Sequence, residues 1–208
     1  MRDTTRLHPK VQALAVKLVS ECDKVGLHIK ITDCVRSMEE QNGINASRTK
    51  CKYPNSYHNW GLAFDFCRND GTGAYNDSDG FFRKVGQVGK SIGLFWGGDF
   101  ESFHDGPHME YHGLGLRSQI EHKYGTPENF FDSWKTTKPT KTVTKDSPKD
   151  EIRWLQGKLG IETDGIYGNL TKTAVLSLWK SLGWNKDGKD KGDRVGIKTI
   201  NKLDSGTK

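Results

Sequence analysis

The tract Lys135-Thr136-Thr137-Lys138-Pro139-Thr140-Lys141-Thr142-Val143-Thr144-Lys145 has almost nothing to bury and much to keep in water. Such a stretch reads as a connector, and it divides the 208-residue chain into two parts that must each build a core. The spacing predicts a first domain over residues 1–134, a linker over 135–149 and a small domain over 150–208. The length allows this, since domains commonly run to about 100–150 residues. Hydrophobic residues make up only 33% of the chain, but 24 glycines and 10% aromatics point to compact, loop-rich domains rather than disorder.

Charge follows the same division. Of 32 Lys/Arg and 26 Asp/Glu, 16 and 17 lie up to Asp132, which leaves 16 against 9 beyond it. The positive surplus of the last third favours an anionic partner. Nucleic acid and an anionic bacterial wall polymer are both candidates, and charge does not choose between them, although no nucleic-acid motif accompanies it. The opening Met1-Arg2-Asp3-Thr4-Thr5-Arg6 is polar, and no run is long enough to span a bilayer. We therefore expect no signal peptide, no membrane partner and synthesis in the (host) cytoplasm. Cys22, Cys34, Cys51 and Cys67 lack CxxC spacing and are expected as free thiols.

In the first part, Val11, Leu14, Ala15, Leu18, Val19 and Cys22 recur at helical spacing between Pro9 and Gly26. Leu27 to Thr32 alternates as a strand, with His28 on its polar side as an ordinary surface histidine. Ser37 and Glu40 have capping-box spacing, which sets Arg36 between a strand end and a helix start. Leu62, Phe64 and Phe66 alternate with Ala63, Asp65 and Cys67, the pattern of a strand with one apolar face. His58 lies an odd number of residues from Asp65, so an unbroken strand would turn them apart, and Gly61 can supply the turn that reunites them. Cys67 shares the face of Asp65 and is a spare soft ligand.

The loop from Asp70 to Asp79 is acidic but lacks the closing Glu of an EF-hand, so it reads as a solvated loop. A helix through Phe81, Phe82, Val85, Val88 and Ile92 follows, then a strand and tight loop over Leu94 to Phe100. His104, His108 and His112 have helical spacing, yet Gly106-Pro107 would break a helix there. A strand from His108 to His112 is expected instead, with His108, Glu110 and His112 on one side and Met109 and Tyr111 on the core side. Two imidazoles and a carboxylate, His58, Asp65 and His108, form a ligand set suited to zinc with one position left for water. Asp105 is then free to handle protons, with Glu110 as a rival base and His112 as a rival or a partner behind the ligands. Helices near Leu116 to Tyr124 and Pro127 to Trp134 close this part.

Beyond the connector, Gly168-x-x-Thr171-x-x-x-Val175 recurs as Gly196-x-x-Thr199-x-x-x-Leu203, each after a loop containing Asp-Gly. With a helix through Ile152, Leu155 and Leu159 in front, this predicts a small all-α three-helix domain.

Taken in order across most of the first 112 residues, Arg36-Ser37 with Glu40-Gln41, Ser56-x-His58-x-x-Gly61-x-Ala63-x-Asp65, Trp96-Gly97-Gly98-Asp99 and Asp105-x-Pro107-His108 resemble the zinc peptidases that cut peptidoglycan stem peptides. Their fold is shared with the D-alanyl-D-alanine peptidases and the signalling domain of Hedgehog. The last two motifs are most similar to those of L-alanyl-D-glutamate endopeptidases from phage endolysins and bacterial wall hydrolases. The resemblance implies an α+β fold, a small antiparallel sheet with flanking helices. It also implies Zn2+ on His58, Asp65 and His108, Asp105 as general base, and Arg36 on the substrate or its developing oxyanion. Ser56, Glu110, His112 and Trp96 are candidates for substrate contact or for backing the ligands. The implied activity is hydrolysis of the L-alanyl-D-glutamate bond, with a D,D-carboxypeptidase or a non-catalytic wall-binding protein as alternatives.

Leu155-Gln156, Asp164-Gly165-Ile166-Tyr167-Gly168 and Thr171 resemble the three-helix peptidoglycan-binding module, with Trp179 in place of its usual Phe-Gln. Tyr167, Trp179 and Trp184 are the wall-binding candidates of that part.

Overall fold

The computed structural model describes residues 4–45, 49, 51–101, 103–185 and 187–206. The chain forms two compact units, Met1–Phe131 and Asp132–Lys208.

The first unit opens with helix α1 (Pro9–Lys24), which buries Val11, Leu14, Ala15, Leu18 and Cys22 along one face, as the spacing predicts. Gly26, at φ 75°, turns the chain into strand β1 (Ile29–Asp33), whose Ile29 and Ile31 face the core. Helix α2 (Met38–Gly43) starts at the capping box of Ser37 and Glu40. Strand β2 (Ala63–Arg68), helix α3 (Phe81–Ser91), the two-residue strand β3 (Phe95–Trp96) and strand β4 (His108–Glu110) follow. Helices α4 (Arg117–Tyr124) and α5 (Pro127–Trp134) come next in the chain.

The four strands form one antiparallel sheet in the order β1-β2-β4-β3. Phe64, Phe66 and Met109 are fully buried on it beside Leu18, Phe81 and Val85. The α+β class is therefore as expected. Two strands are shorter than their sequence suggests. Gly97–Asp99 turns into a 3-10 helix straight after Trp96, and β4 ends at Glu110, with the Tyr111 amide still donating to Leu62 O in the same β2–β4 register. Among the described residues all four cysteines are free, with Cys22, Cys34 and Cys67 buried.

The second unit holds helices α6 (Lys149–Leu159), α7 (Asn169–Ser181) and α8 (Ile197–Asp204). The 135–149 tract is more than a connector. Val143–Thr144 forms strand β5, paired with β6 (Arg194–Val195), and Val143 is fully buried with Ile152, Leu155, Val175 and Ile200. A single β-branched apolar residue in a polar tract is enough to close that core.

The internal repeat has a physical basis. Gly168 and Gly196 each cap a helix, and the threonine three residues on is buried as a hydrogen-bond acceptor. Thr171 Oγ1 accepts from Gln156 Nε2 at 3.2 Å, and Thr199 Oγ1 accepts from Trp179 Nε1 at 3.1 Å.

Candidate metal centre and active site

His58 sits on a single 3-10 turn, Tyr57–Trp60, whose start is fixed by Ser56. The Ser56 hydroxyl accepts from the His58 amide at 3.3 Å, and Asn59 Oδ1 accepts from the Ser56 amide at 3.2 Å. Ser56 thus positions a ligand. Gly61 closes the turn at φ 65°, and a Cβ there would lie 2.9 Å from the Phe131 ring and 3.2 Å from Arg6 O. This is the turn that the odd spacing of His58 and Asp65 requires, and only glycine fits it comfortably.

Asp65 and His108 are direct partners across β2 and β4. Together with His58 they bring three ligand atoms within 4.8 Å of one another. His58 Nε2 lies 3.1 Å from Asp65 Oδ1 and 3.2 Å from His108 Nδ1, and His108 Nδ1 lies 2.9 Å from Asp65 Oδ1. Cys67, the spare soft ligand, lies outside this group, buried and opposite Lys30.

The other side of each ligand is already engaged. His58 Nδ1 donates to Cys34 O, which leaves Nε2 as the lone-pair nitrogen. His108 Nε2 donates to Glu110 Oε1 at 3.0 Å, which frees Nδ1. Asp65 Oδ2 accepts from Arg36 Nη2 at 2.7 Å, so Oδ1 is the oxygen turned to the imidazoles. Metal-ligating histidines characteristically donate their second N–H to a carbonyl or carboxylate in this way. The donor set fits zinc, with two imidazole nitrogens, one carboxylate oxygen and an open side. Burial works against charge on His108, yet hydrogen bonds to Asp65 and Glu110 hold its proton up to about 10. Burial also opposes charge on Asp65, but the two histidines hold its carboxyl well below the usual range. The charges around the pocket favour a cation, and a bound metal would take the place of that proton on His108.

The two candidate bases separate clearly. Glu110 is buried with both oxygens in use, Oε1 by His108 and Oε2 by His112 Nε2 at 2.8 Å. Burial would raise its pKa, but those two bonds lower it. Asp105 accepts no side-chain hydrogen bond among the described residues, and burial raises its pKa. The electrostatic influence of His108, Asp65, His58 and Arg36 reaches it. Burial thus favours the protonated form of Asp105, and the two imidazoles favour the carboxylate of Glu110.

The Trp-Gly-Gly-Asp segment carries Asp105 into place. The Asp105 amide donates to Gly97 O at 3.0 Å, and Trp96 Nε1 donates to Gly106 O at 2.8 Å. A Cβ on Gly97 would lie 2.6 Å from Asp105 O and 2.9 Å from His108 Cβ. Trp96 therefore secures the loop, and the close approach accounts for the glycine after it.

Arg36 departs from the expected picture. Its Nε donates to Asp33 Oδ2 and its Nη2 to Asp65 Oδ2, both at 2.7 Å, with only 15% of the side chain exposed. Two of its three nitrogens are thus committed, one to Asp33 and one to Asp65. Asp33 and the Cys34 carbonyl were not singled out from the sequence. The Asp33-x-x-Arg36 spacing was the one signal for the former, and a backbone acceptor leaves none.

In the second unit, Tyr167 and Trp179 are largely built into the core. They are 5% and 6% exposed, and their polar ends are spent internally on Gly192 O and Thr199 Oγ1. Burying such rings stabilises a small domain. Trp184 remains half-buried, with Lys198 Nζ 4.6 Å from its ring centre. With Trp179 it lines a cleft of about 850 Å³ of mixed charge, in which Arg194, Lys189, Lys191 and Lys198 stand beside Asp187, Asp190 and Asp193.

Residues 49–111 match the sequence profile of a family described as D-alanyl-D-alanine carboxypeptidase. The chain is 34% identical to the peptidoglycan L-alanyl-D-glutamate endopeptidase CwlK of Bacillus subtilis (strain 168), over 50% of this chain and 72% of that protein. It is 30% identical to the L-alanyl-D-glutamate peptidase of Listeria phage A118, over 62% of this chain and 46% of that one. Among solved structures, the L-Ala D-Glu endopeptidase ChiX of Serratia marcescens aligns with a TM-score of 0.43 at 18% identity, covering 52% of this chain and 82% of that one.

Proposed function

The chain belongs to the family of peptidoglycan L-alanyl-D-glutamate endopeptidases, and from that membership we propose that His58, Asp65 and His108 hold its zinc while Asp105 moves the protons of hydrolysis. It is a zinc metallopeptidase that hydrolyses the L-alanyl-D-glutamate bond of stem peptides. The observation that carries the assignment of roles is that each ligand has its outer side engaged and its inner lone pair free, with Asp105 alone unengaged beside them.

Zinc, when bound, lowers the pKa of a water and polarises the scissile carbonyl. Asp105 accepts the proton of the attacking water as its oxygen bonds to the alanyl carbonyl carbon. The C–N bond then breaks, and Asp105 returns the proton to the departing amine of D-glutamate. Arg36 holds Asp65 Oδ2, and its remaining Nη1 is the group left to stabilise the oxyanion. Ser56 and Trp96 act by fixing His58 and the Asp105 loop.

The second unit is the wall anchor in this reading. Its excess of positive charge supports binding to anionic wall polymers. Tethering the enzyme there raises its local concentration on substrate. Action on the wall follows release from the cell in which the chain is made.

The match of residues 49–111 to a family described as D-alanyl-D-alanine carboxypeptidase favours a second reading, trimming of terminal D-alanine. Mass spectrometry of a defined peptidoglycan digest separates the two. A new N-terminal D-glutamate is expected, and release of free D-alanine in its place would transfer the assignment to the carboxypeptidase.

A further inference from the structure

Glu110 is 6% exposed, and its two oxygens are shared between two imidazoles, His108 Nε2 at 3.0 Å and His112 Nε2 at 2.8 Å. The second imidazole has no place in the ligand set. Strand β4 ends at Glu110, so backbone pairing does not put His112 there. Its ring is held by side chains instead. It stacks on Phe95 at 4.8 Å between ring centres and meets Tyr57 at 4.9 Å. The Tyr57 hydroxyl is in turn fixed by accepting from the Arg117 amide at 3.0 Å.

We infer that His112 is a positioning residue for the metal centre, acting through Glu110 to fix the tautomer and ring plane of His108. The inference rests on the reading that His58, Asp65 and His108 hold the metal. A carboxylate bound at one oxygen can swing about its side-chain torsions, whereas one bound at both presents Oε1 to His108 Nε2 in a single orientation. That bond keeps the proton on Nε2 and the lone pair on Nδ1. His112, 30% exposed, also closes the outer side of an otherwise buried carboxylate. The row from Tyr57 and Phe95 through His112 and Glu110 to His108 thus extends the site outward from the metal.

The test uses the full chain, stripped of metal and titrated with Zn2+ against a chromophoric chelator and with Co2+ by visible absorption. His112→Phe keeps the stacking and removes the N–H donor, while His112→Gln keeps an N–H that can reach Glu110. The expected result is one metal per chain throughout, affinity about 10–100-fold weaker with altered Co2+ bands in the Phe variant, and recovery to within about three-fold in the Gln variant. If the Phe variant matched the parent in affinity and spectrum, His112 would have no positioning role. If the Gln variant were as weak as the Phe variant, the hydrogen bond would not be the cause. His58→Ala in the same series separates the two levels. A parent that binds metal no better than that variant would remove the metal centre itself, and the inference with it.

Discussion

At the scale of single residues, Asp105 and Glu110 flank His108 and are driven in opposite directions by their surroundings. The Asp105 carboxylate has burial with no side-chain hydrogen bond among the described residues, and that of Glu110 has burial with two. Asp105→Asn is expected to lower kcat about 10²–10⁴-fold while the protein still binds one zinc, as kinetics and metal analysis on one preparation would establish. Equal loss of metal and activity would contradict the division of roles. His8 gives a stability prediction of a different kind. Its Nδ1 accepts from the Lys10 amide at the start of α1, and burial lowers its pKa from 6.5 to about 4. Above pH 6.5 both folded and unfolded chains carry it neutral. As pH falls from 6.5 to 4 the unfolded chain takes a proton that the folded one refuses, so stability declines across that window. His8→Asn keeps the cap acceptor and removes the titration, and should flatten that part of the melting-temperature profile relative to the parent. That His58, Asp65 and His108 come together was legible because their spacing brackets a glycine turn and a helix-breaking Gly-Pro, while Asp105 was named chiefly through the family resemblance. The duty of Glu110 was not legible, because it depends on which imidazole each oxygen faces.

At the scale of elements, the site is mounted on short pieces whose shape depends on glycine. The 3-10 turn of His58 depends on Ser56 at its start and Gly61 at its end, and the Asp105 loop folds onto Gly97. Gly97→Ala drives a Cβ against Asp105 O and His108 Cβ, and backbone cannot yield as a side chain would. The expected loss is about 1–3 kcal/mol of unfolding free energy in denaturant titration, with activity falling further because Asp105 and His108 shift together. Wild-type stability in that variant would mean the loop is looser than drawn. Helix α1 and the Ser37 capping box were readable to the residue because 3.6-residue spacing and cap chemistry are local. The lengths of β3 and β4 were not. A strand's length depends on where its neighbours stop pairing, as when β3 leaves β4 after Trp96 to turn through Gly97–Asp99, and no local pattern announces that.

At the scale of the whole molecule, a nearly neutral catalytic unit is joined to a basic one. The division into two units was visible in the Thr/Lys tract, but the burial of Val143 from that tract was not, because one apolar residue in eleven leaves no periodicity to detect. The burial of Tyr167 and Trp179 was not visible for a related reason, since a small core needs its large rings as much as a binding face does. If the charge excess anchors the enzyme, raising salt from about 0.05 to 0.5 M should release it from walls while hydrolysis of soluble stem peptides continues. Lys198→Glu with Arg194→Glu should reproduce that release at low salt, as read by wall pull-down. The most direct test of the central claim is a mass-spectrometric digest of a defined stem peptide with the metal-stripped chain, before and after adding zinc. The account predicts cleavage between L-alanine and D-glutamate only when zinc is present, and none by His58→Ala under either condition. Cleavage of that bond by the stripped chain, or by His58→Ala at the parent's rate, would contradict it.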